Sequence, residues 1–420
     1  MVDDGAADTD SIGPEGMLDR AVALDREDPL AAYRPEFVEA PEVVAYLDGN
    51  SLGRPLRVTT ERLSAFVREV WGGRLIRAWE EGWMDAPTVL GDQLGRITLG
   101  AGSGQTIVGD STTVLLYKLV RAAVTARPGR DVIVTDTQNF PTDRFIVEGV
   151  AAERGLELRW IDPDPDSGVS EEELAEALDE RVAVLLLSHV AFRSGHMLDM
   201  KSVTAAARAV GALCVWDLSH STGVVELHLD RDAIELAVGC TYKYLNGGPG
   251  APAFAYVASS LQDCLAQPIQ GWMGASDPFA MGPSYVPAAG IRRFISGTPP
   301  IVGMLPMRDM LELIERAGMP ALRTKSLALT DFVIGYAQER LVPLGARIAS
   351  PRERARRGSH ITLEHPAFQG MVPELWARGV IPDFRPPEGL RVGLSPLSTS
   401  FVEVARGLGV VEELLAANPA

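Results

Sequence analysis

The sequence predicts an α/β protein: a large domain with a mostly parallel sheet sandwiched by helices, plus a smaller C-terminal α/β domain. Two observations predict the large domain. From Leu99 onward, apolar runs of strand length recur, and amphipathic helical segments lie between several of them. A third observation predicts the small one: after about Pro300 this alternation gives way to a long helical stretch followed by shorter runs. A chain of 420 residues is long for one simple core and typical of two domains.

Taken in order, residues 1–20 open with the acidic MVDDGAADTD and read as a flexible tail. Residues 21–300 are assigned to an N-terminal segment and the large domain. Its strand candidates are Asp131–Asp136, Val182–Val190, Ala212–Asp217, Leu236–Cys240 and Ala253–Ala258. Between them, SEEELAEALDE (Ser170–Glu180) opens with Ser and carries Glu three residues on, the pattern of a capping box. MKSVTAAARAVG (Met200–Gly211) closes on Gly, where a helix C-terminus is expected. Residues 301–420 are assigned to a helical connection, Met304–Arg340, and the small domain, with runs at His360–His365 and Leu390–Pro396. No internal repeat or low-complexity segment interrupts this plan.

Composition narrows the function classes. A net charge of −17 argues against nucleic-acid and anionic-membrane partners, which need clustered Lys and Arg. The longest apolar run, Val182–Phe192, is far short of the roughly 20 residues of a membrane helix. The N-terminus lacks a basic-then-apolar signal pattern. Cys214, Cys240 and Cys264 have no CxxC spacing and cannot all pair, which suits a reducing, cytoplasmic setting. A small-molecule substrate and no metal are expected.

In such a sheet, ligands sit beyond the carboxyl ends of the strands. Three strand ends converge there. In VWDLSHSTG, Asp217 ends the strand and His220 lies three residues on; in GCTYKYLNGGPGA, Tyr242 and Lys243 follow another strand, Lys243 standing 26 residues after Asp217. In TDTQNFPTD, Phe140 and Asp143 follow a third. Taken alone, a lysine past a strand end is a surface lysine. The glycines after it do not form a P-loop, where Lys follows the glycines instead. Paired with Asp217, Lys243 meets the two needs of pyridoxal phosphate (PLP): an amine for a Schiff base and an anion beside the pyridine nitrogen. Ser111, Thr112 and Thr113 open a helical run whose free N–H groups and hydroxyls suit a phosphate, or cap the helix and no more.

The sequence resembles the kynureninases, members of the fold type I (aspartate-aminotransferase-like) PLP enzymes. The resemblance rests on YLDGNSLG (Tyr46–Gly53), LIRAW (Leu75–Trp79), NFPTD (Asn139–Asp143), DLSHSTG (Asp217–Gly223), GCTYKYLNGGPG (Gly239–Gly250), GTPPI (Gly297–Ile301) and RGSHITLEHP (Arg357–Pro366). These run in family order over about 320 residues, and YLDGNSLG with TYKYLNGGPG is the most specific pair. The resemblance implies PLP-dependent hydrolysis of the Cβ–Cγ bond of kynurenine to anthranilate and L-alanine, in a homodimer with shared sites. It implies that Lys243 holds the cofactor and acts as base, that Phe140 stacks on its ring, and that Asp217 pairs with the ring nitrogen, supported by Asp143 and His220. Thr112, Thr113, Tyr242 and Trp272 are expected at the phosphate, with Tyr242 also helping to protonate the product. Trp272 and Thr298 are expected to reach in from the partner subunit. Arg391 would clamp the substrate carboxylate, in competition with Arg385, and Ser51, Trp79 and Thr298 would line the aromatic pocket.

Plainer roles compete for some of these residues: His220 and His189 as core histidines, Trp79 and Phe140 as packing. Three positions depart from the family pattern, which has Phe, His and an aromatic residue where this chain has Met273, Ala275 and Ser398. If they face the substrate ring, the pocket is roomier and a 3-hydroxy- or methyl-substituted kynurenine is expected to be accepted well. Two alternatives remain. One is another fold type I activity, a desulfurase (for which Cys264 would have to serve) or an aminotransferase; the other is a PLP-binding protein without turnover.

Overall fold

A computed structural model describes residues 13–417. Its strands are β1 (Ala45–Leu47), β2 (Thr106–Gly109), β3 (Val132–Asp136), β4 (Glu157–Ile161), β5 (Val182–Ser188), β6 (Leu213–Asp217), β7 (Leu236–Gly239), β8 (Ala253–Val257), β9 (Arg347–Ile348), β10 (His360–Glu364), β11 (Val380–Arg385) and β12 (Gly389–Gly393). Seven of them form one sheet in the order β2-β8-β7-β6-β5-β3-β4. Within it β8 alone runs antiparallel to its neighbours; the other pairings are parallel. Two apolar layers cover its faces. One includes Val134, Leu185 and Trp216, the other Ile133, Val184 and Val215. Alternate residues of one strand feed opposite layers, as the two-residue strand period requires.

The five strands predicted from apolar runs all form, within two residues of their expected ends. Helix Glu171–Ala177 opens with the expected capping box: Glu173 N–H donates to Ser170 Oγ at 3.2 Å and Ser170 N–H to Glu173 Oε2 at 2.8 Å. Helix Met200–Ala209 is capped by Asp199 and followed by Gly211 at φ +81°. The expected helical stretch is two helices, Ile301–Ala317 and Met319–Tyr336, parted by Gly318.

Five short strands form the second sheet, ordered β1-β11-β12-β10-β9. Its first strand comes from the N-terminal part of the chain: β1 pairs in parallel with β11, and the rest are antiparallel. This corrects two expectations. Residues 14–20 are not a tail but the start of helix Pro14–Glu27, whose Met17 and Ala21 are fully buried in one core with Phe401, Val404 and Leu408. Residues 1–12 lie outside the described residues. The small domain therefore combines N-terminal elements with residues 346–417, rather than being C-terminal alone.

Candidate active site

A cavity of about 540 Å³ opens beyond the carboxyl ends of the central strands. Its wall includes Thr112, Thr113, Phe140, Asp143, Asp217, Tyr242, Lys243 and Thr298, eight of the residues the sequence singled out. Each reaches it for a local reason. Asn139, itself buried, accepts from the Phe140 N–H at 2.8 Å and from Ser188 Oγ at 2.7 Å, tying the turn after β3 to the end of β5. That sets Phe140 at the start of helix Pro141–Arg154, with Asp143 in its first turn. Asp217 ends β6 and accepts from the Ser219 N–H at 2.8 Å. Beyond β7, Lys243 lies in a loop pinned by the Gly53 N–H, which donates to the Tyr242 carbonyl at 2.9 Å.

One end of the cavity is built for an anion. Helix Thr112–Thr125 points its N-terminus at it, with Ser111 as cap and the Thr112 and Thr113 hydroxyls beside it. The free N–H groups of that turn and the helix dipole favour a phosphate. Another part of the wall suits a cation. Asp143 is buried, neither of its carboxyl oxygens meets a donor among the described residues, and burial together with the charge of Asp217 pushes its pKa well up. Burial also raises nearby Asp136, to about 7. A protonated pyridine nitrogen seated here would relieve both the crowding of like charge and the missing donors. The donor sets at these two places fit PLP.

The same wall carries an amine. The chain has four lysines. Lys118 and Lys325 are buried in ion pairs with Asp110 and Asp28, and Lys201 is exposed at a helix start. Lys243 alone lines the cavity, with Nζ 5.8 Å from the Phe140 ring centre and 5.9 Å from that of Tyr242. Its Nζ is 2.9 Å from His220 Nε2. Burial first, and then the Lys243 charge, hold His220 well below the usual histidine range, so its ring is neutral and its Nε2 accepts. Burial also raises the Tyr242 phenol, which keeps its proton at neutral pH.

Arg391, on β12 of the small domain, and Ser51 are not on the wall of this cavity. The Arg391 guanidinium is almost fully buried and donates to Ser51 Oγ and the Phe192 carbonyl, both at 2.7 Å, and pairs with Asp383 at 2.6 Å. Arg385 is more exposed and bound to the same Asp383. Trp79 lies in a separate apolar trough of about 280 Å³ with Phe66, Trp71 and Trp83, and this trough shares Thr298 and Pro300 with the main cavity.

Thr298 lines this chain's own cavity. One expectation is corrected. Met273 is fully buried in a core layer with Ile291, Phe294 and Ile295, so its thioether fills core space rather than enlarging a substrate pocket. Trp272 lies outside this chain's cavity, more than a third exposed, with its ring edge-on to Phe279 at 6.1 Å. Sequence reasoning missed Asp383 and His360. Asp383 sits directly across an antiparallel pair from Arg391. His360 lies on β10 with its ring 5.3 Å from that of His220 and, among the described residues, no hydrogen-bond partner within range of either nitrogen. The short spacing between two strand-like runs held the signal for Asp383.

Solved structures share this fold. A cysteine desulfurase from Thermococcus onnurineus NA1 superposes with a TM-score of 0.78 at 18% identity, covering 92% of this chain and 98% of its own. A C-DES variant with glycine covalently linked to its PLP cofactor gives 0.76 at 16% identity, over 89% and 95%. Fold and site together define a fold type I PLP enzyme. Residues 101–228 match the family model of the DegT/DnrJ/EryC1/StrS aminotransferases, and residues 322–411 that of the kynureninase C-terminal domain. The kynureninase of Pseudomonas fluorescens is 43% identical over 401 residues, 94% of each chain. The chain belongs to the kynureninase family.

Proposed function

We propose that this chain hydrolyses the Cβ–Cγ bond of L-kynurenine, or of a ring-substituted kynurenine, to an anthranilate and L-alanine. The observation that carries the reading is the single cavity-facing lysine, sharing the wall with a helix N-terminus and a buried acid pair. Bound PLP supplies an aldehyde that captures an amine and a protonated ring that takes up the electron pair of a broken Cα–H bond. Lys243 holds the cofactor, and after release takes the Cα proton, its Nζ oriented by neutral His220. Asp217, backed by Asp143, keeps the proton on the ring nitrogen. Arg391, fixed by Asp383, holds the substrate carboxylate as a fork, and Ser51 is the partner that carboxylate displaces. Water adds at the γ-carbonyl: its hydroxyl stays with the aryl acyl carbon and a proton goes to Cβ. Tyr242, protonated at neutral pH, is the group that delivers it.

The apolar trough of Trp79, Trp71 and Trp83 beside Thr298 suits the aryl ring. With Met273 withdrawn into the core, Ala275 and Ser398 alone carry the expectation of extra room, which favours 3-hydroxy or methyl substituents. Trp272, Phe279, Met281, Leu75 and Ile76 are exposed apolar residues that a second copy of the chain would cover, which supports a homodimer that brings Trp272 to the partner's phosphate. Three free cysteines suit the cytoplasm, and no described helix is long and apolar enough to cross a membrane. Cys264 is outside the cavity wall, which disfavours a desulfurase. The test is to incubate holoenzyme with kynurenine, 3-hydroxykynurenine and a methylkynurenine, following anthranilate fluorescence and alanine. Turnover with the highest kcat/KM on a substituted ring is expected; no alanine from any of the three would contradict the assignment.

A further inference from the structure

Asp110 is an awkward residue for an anion site. It sits immediately before the cap of helix Thr112–Thr125, lines the cavity, and adopts φ +45°, a backbone conformation that non-glycine residues rarely take. Its carboxylate therefore shares a wall with the turn that is to bind a phosphate, where like charges oppose one another. Eight residues on in the same helix, Lys118 turns back to meet it. Lys118 is completely buried, its Nζ 2.6 Å from Asp110 Oδ2, and it donates a second bond at 2.9 Å to the carbonyl of Phe294. Phe294 closes the short helical turn Gly290–Phe294, four residues ahead of Thr298 on the cavity wall.

We propose that Lys118 is a positioning residue for the cofactor phosphate: it neutralises Asp110 beside the phosphate seat and ties that seat to the segment carrying Thr298. This rests on the reading that Ser111–Thr113 hold the phosphate. Lys118 is buried and has no direct line to the cavity, so its effect passes through Asp110. A buried ammonium is retained only where its partners repay the desolvation, and here they are a cavity-wall carboxylate and a backbone carbonyl. Removing the ammonium alone leaves an unopposed negative charge at the phosphate end. Removing both charges leaves none.

The discriminating measurement is the affinity of the cofactor-free protein for PLP relative to pyridoxal, which lacks the phosphate. A change that merely loosens the fold weakens both; a change at the phosphate seat alters their ratio. Lys118→Met is expected to lower the ratio about tenfold, and the double variant Asp110→Asn/Lys118→Met to bring it back to within about threefold of the parent. A folded Lys118→Met with an unchanged ratio, or a double variant as weak as the single, overturns the proposal. If Lys118→Met does not fold, Lys118→Gln decides: it keeps a donor for the Phe294 carbonyl but leaves the Asp110 carboxylate unopposed, so it should lower the ratio, and an unchanged ratio overturns the idea. Thr112→Ala with Thr113→Ala separates the two levels. If that pair lowers the ratio while Lys118→Met does not, the seat stands and Lys118 is irrelevant to it. If neither lowers it, the seat itself is wrong and the proposal goes with it.

Discussion

Among the described residues Asp143 has no donor for its buried carboxyl, and a second carboxylate lies beside it. Folded, it binds more protons than unfolded between its ordinary value of 3.8 and its raised one, so stability declines as pH rises through that window. Asp143→Asn should therefore melt higher than the parent at pH 8 when both lack cofactor, with the gap closing towards pH 5. The same change should weaken PLP about tenfold, since a carboxylate behind the ring nitrogen is lost. A lower melting temperature for the cofactor-free variant at pH 8 contradicts this account of the acid pair. At this scale much was legible in the sequence, because Asp217, Lys243, Phe140 and Asp143 all follow strand ends. Asp383 and His360 were not. Asp383 meets Arg391 across the β11–β12 pair, a short spacing that tells only once both strands are recognised, whereas His360 meets His220 between two domains, where no local spacing records it.

At the scale of elements, the turn Asp48–Gly53 matters more than its length suggests. Gly53 packs against the loop that carries Lys243 so closely that an added Cβ would lie 2.4 Å from the Lys243 carbonyl and from Asn246 Cγ. A backbone atom cannot yield as a flexible side chain would, so the loop itself must move. Gly53→Ala is expected to lower kcat/KM on the order of ten- to a hundredfold through displaced Lys243, with the circular dichroism spectrum retained. Unchanged kcat/KM would show that the contact does not govern the amine. Strand legibility followed burial. The apolar β5 was plain, its Val182–Leu187 being fully buried, whereas β4 (Glu157–Ile161) lies at the sheet edge, half exposed and bearing Glu157 and Arg159, and gave no apolar run. β2, four residues long, carried too little pattern to register.

At the scale of the molecule, β1 and the helix Pro14–Glu27 cross to the small sheet, which the order of patterns along the chain could not reveal because the pairing with β11 spans more than 300 residues. The exposed apolar surface around Trp272 gives the assembly its own test. Mixing Trp272→Ala with Lys243→Ala subunits should restore activity above either variant alone, since a hybrid dimer holds one complete site; no recovery after confirmed subunit exchange would argue against a shared site. The account as a whole rests on which amine binds the cofactor. Borohydride reduction of the holoenzyme followed by peptide mapping should place the pyridoxyl phosphate on Lys243. Label on Lys118, Lys201 or Lys325 instead, or a Lys243→Ala variant that still incorporates label and turns over kynurenine, would contradict it.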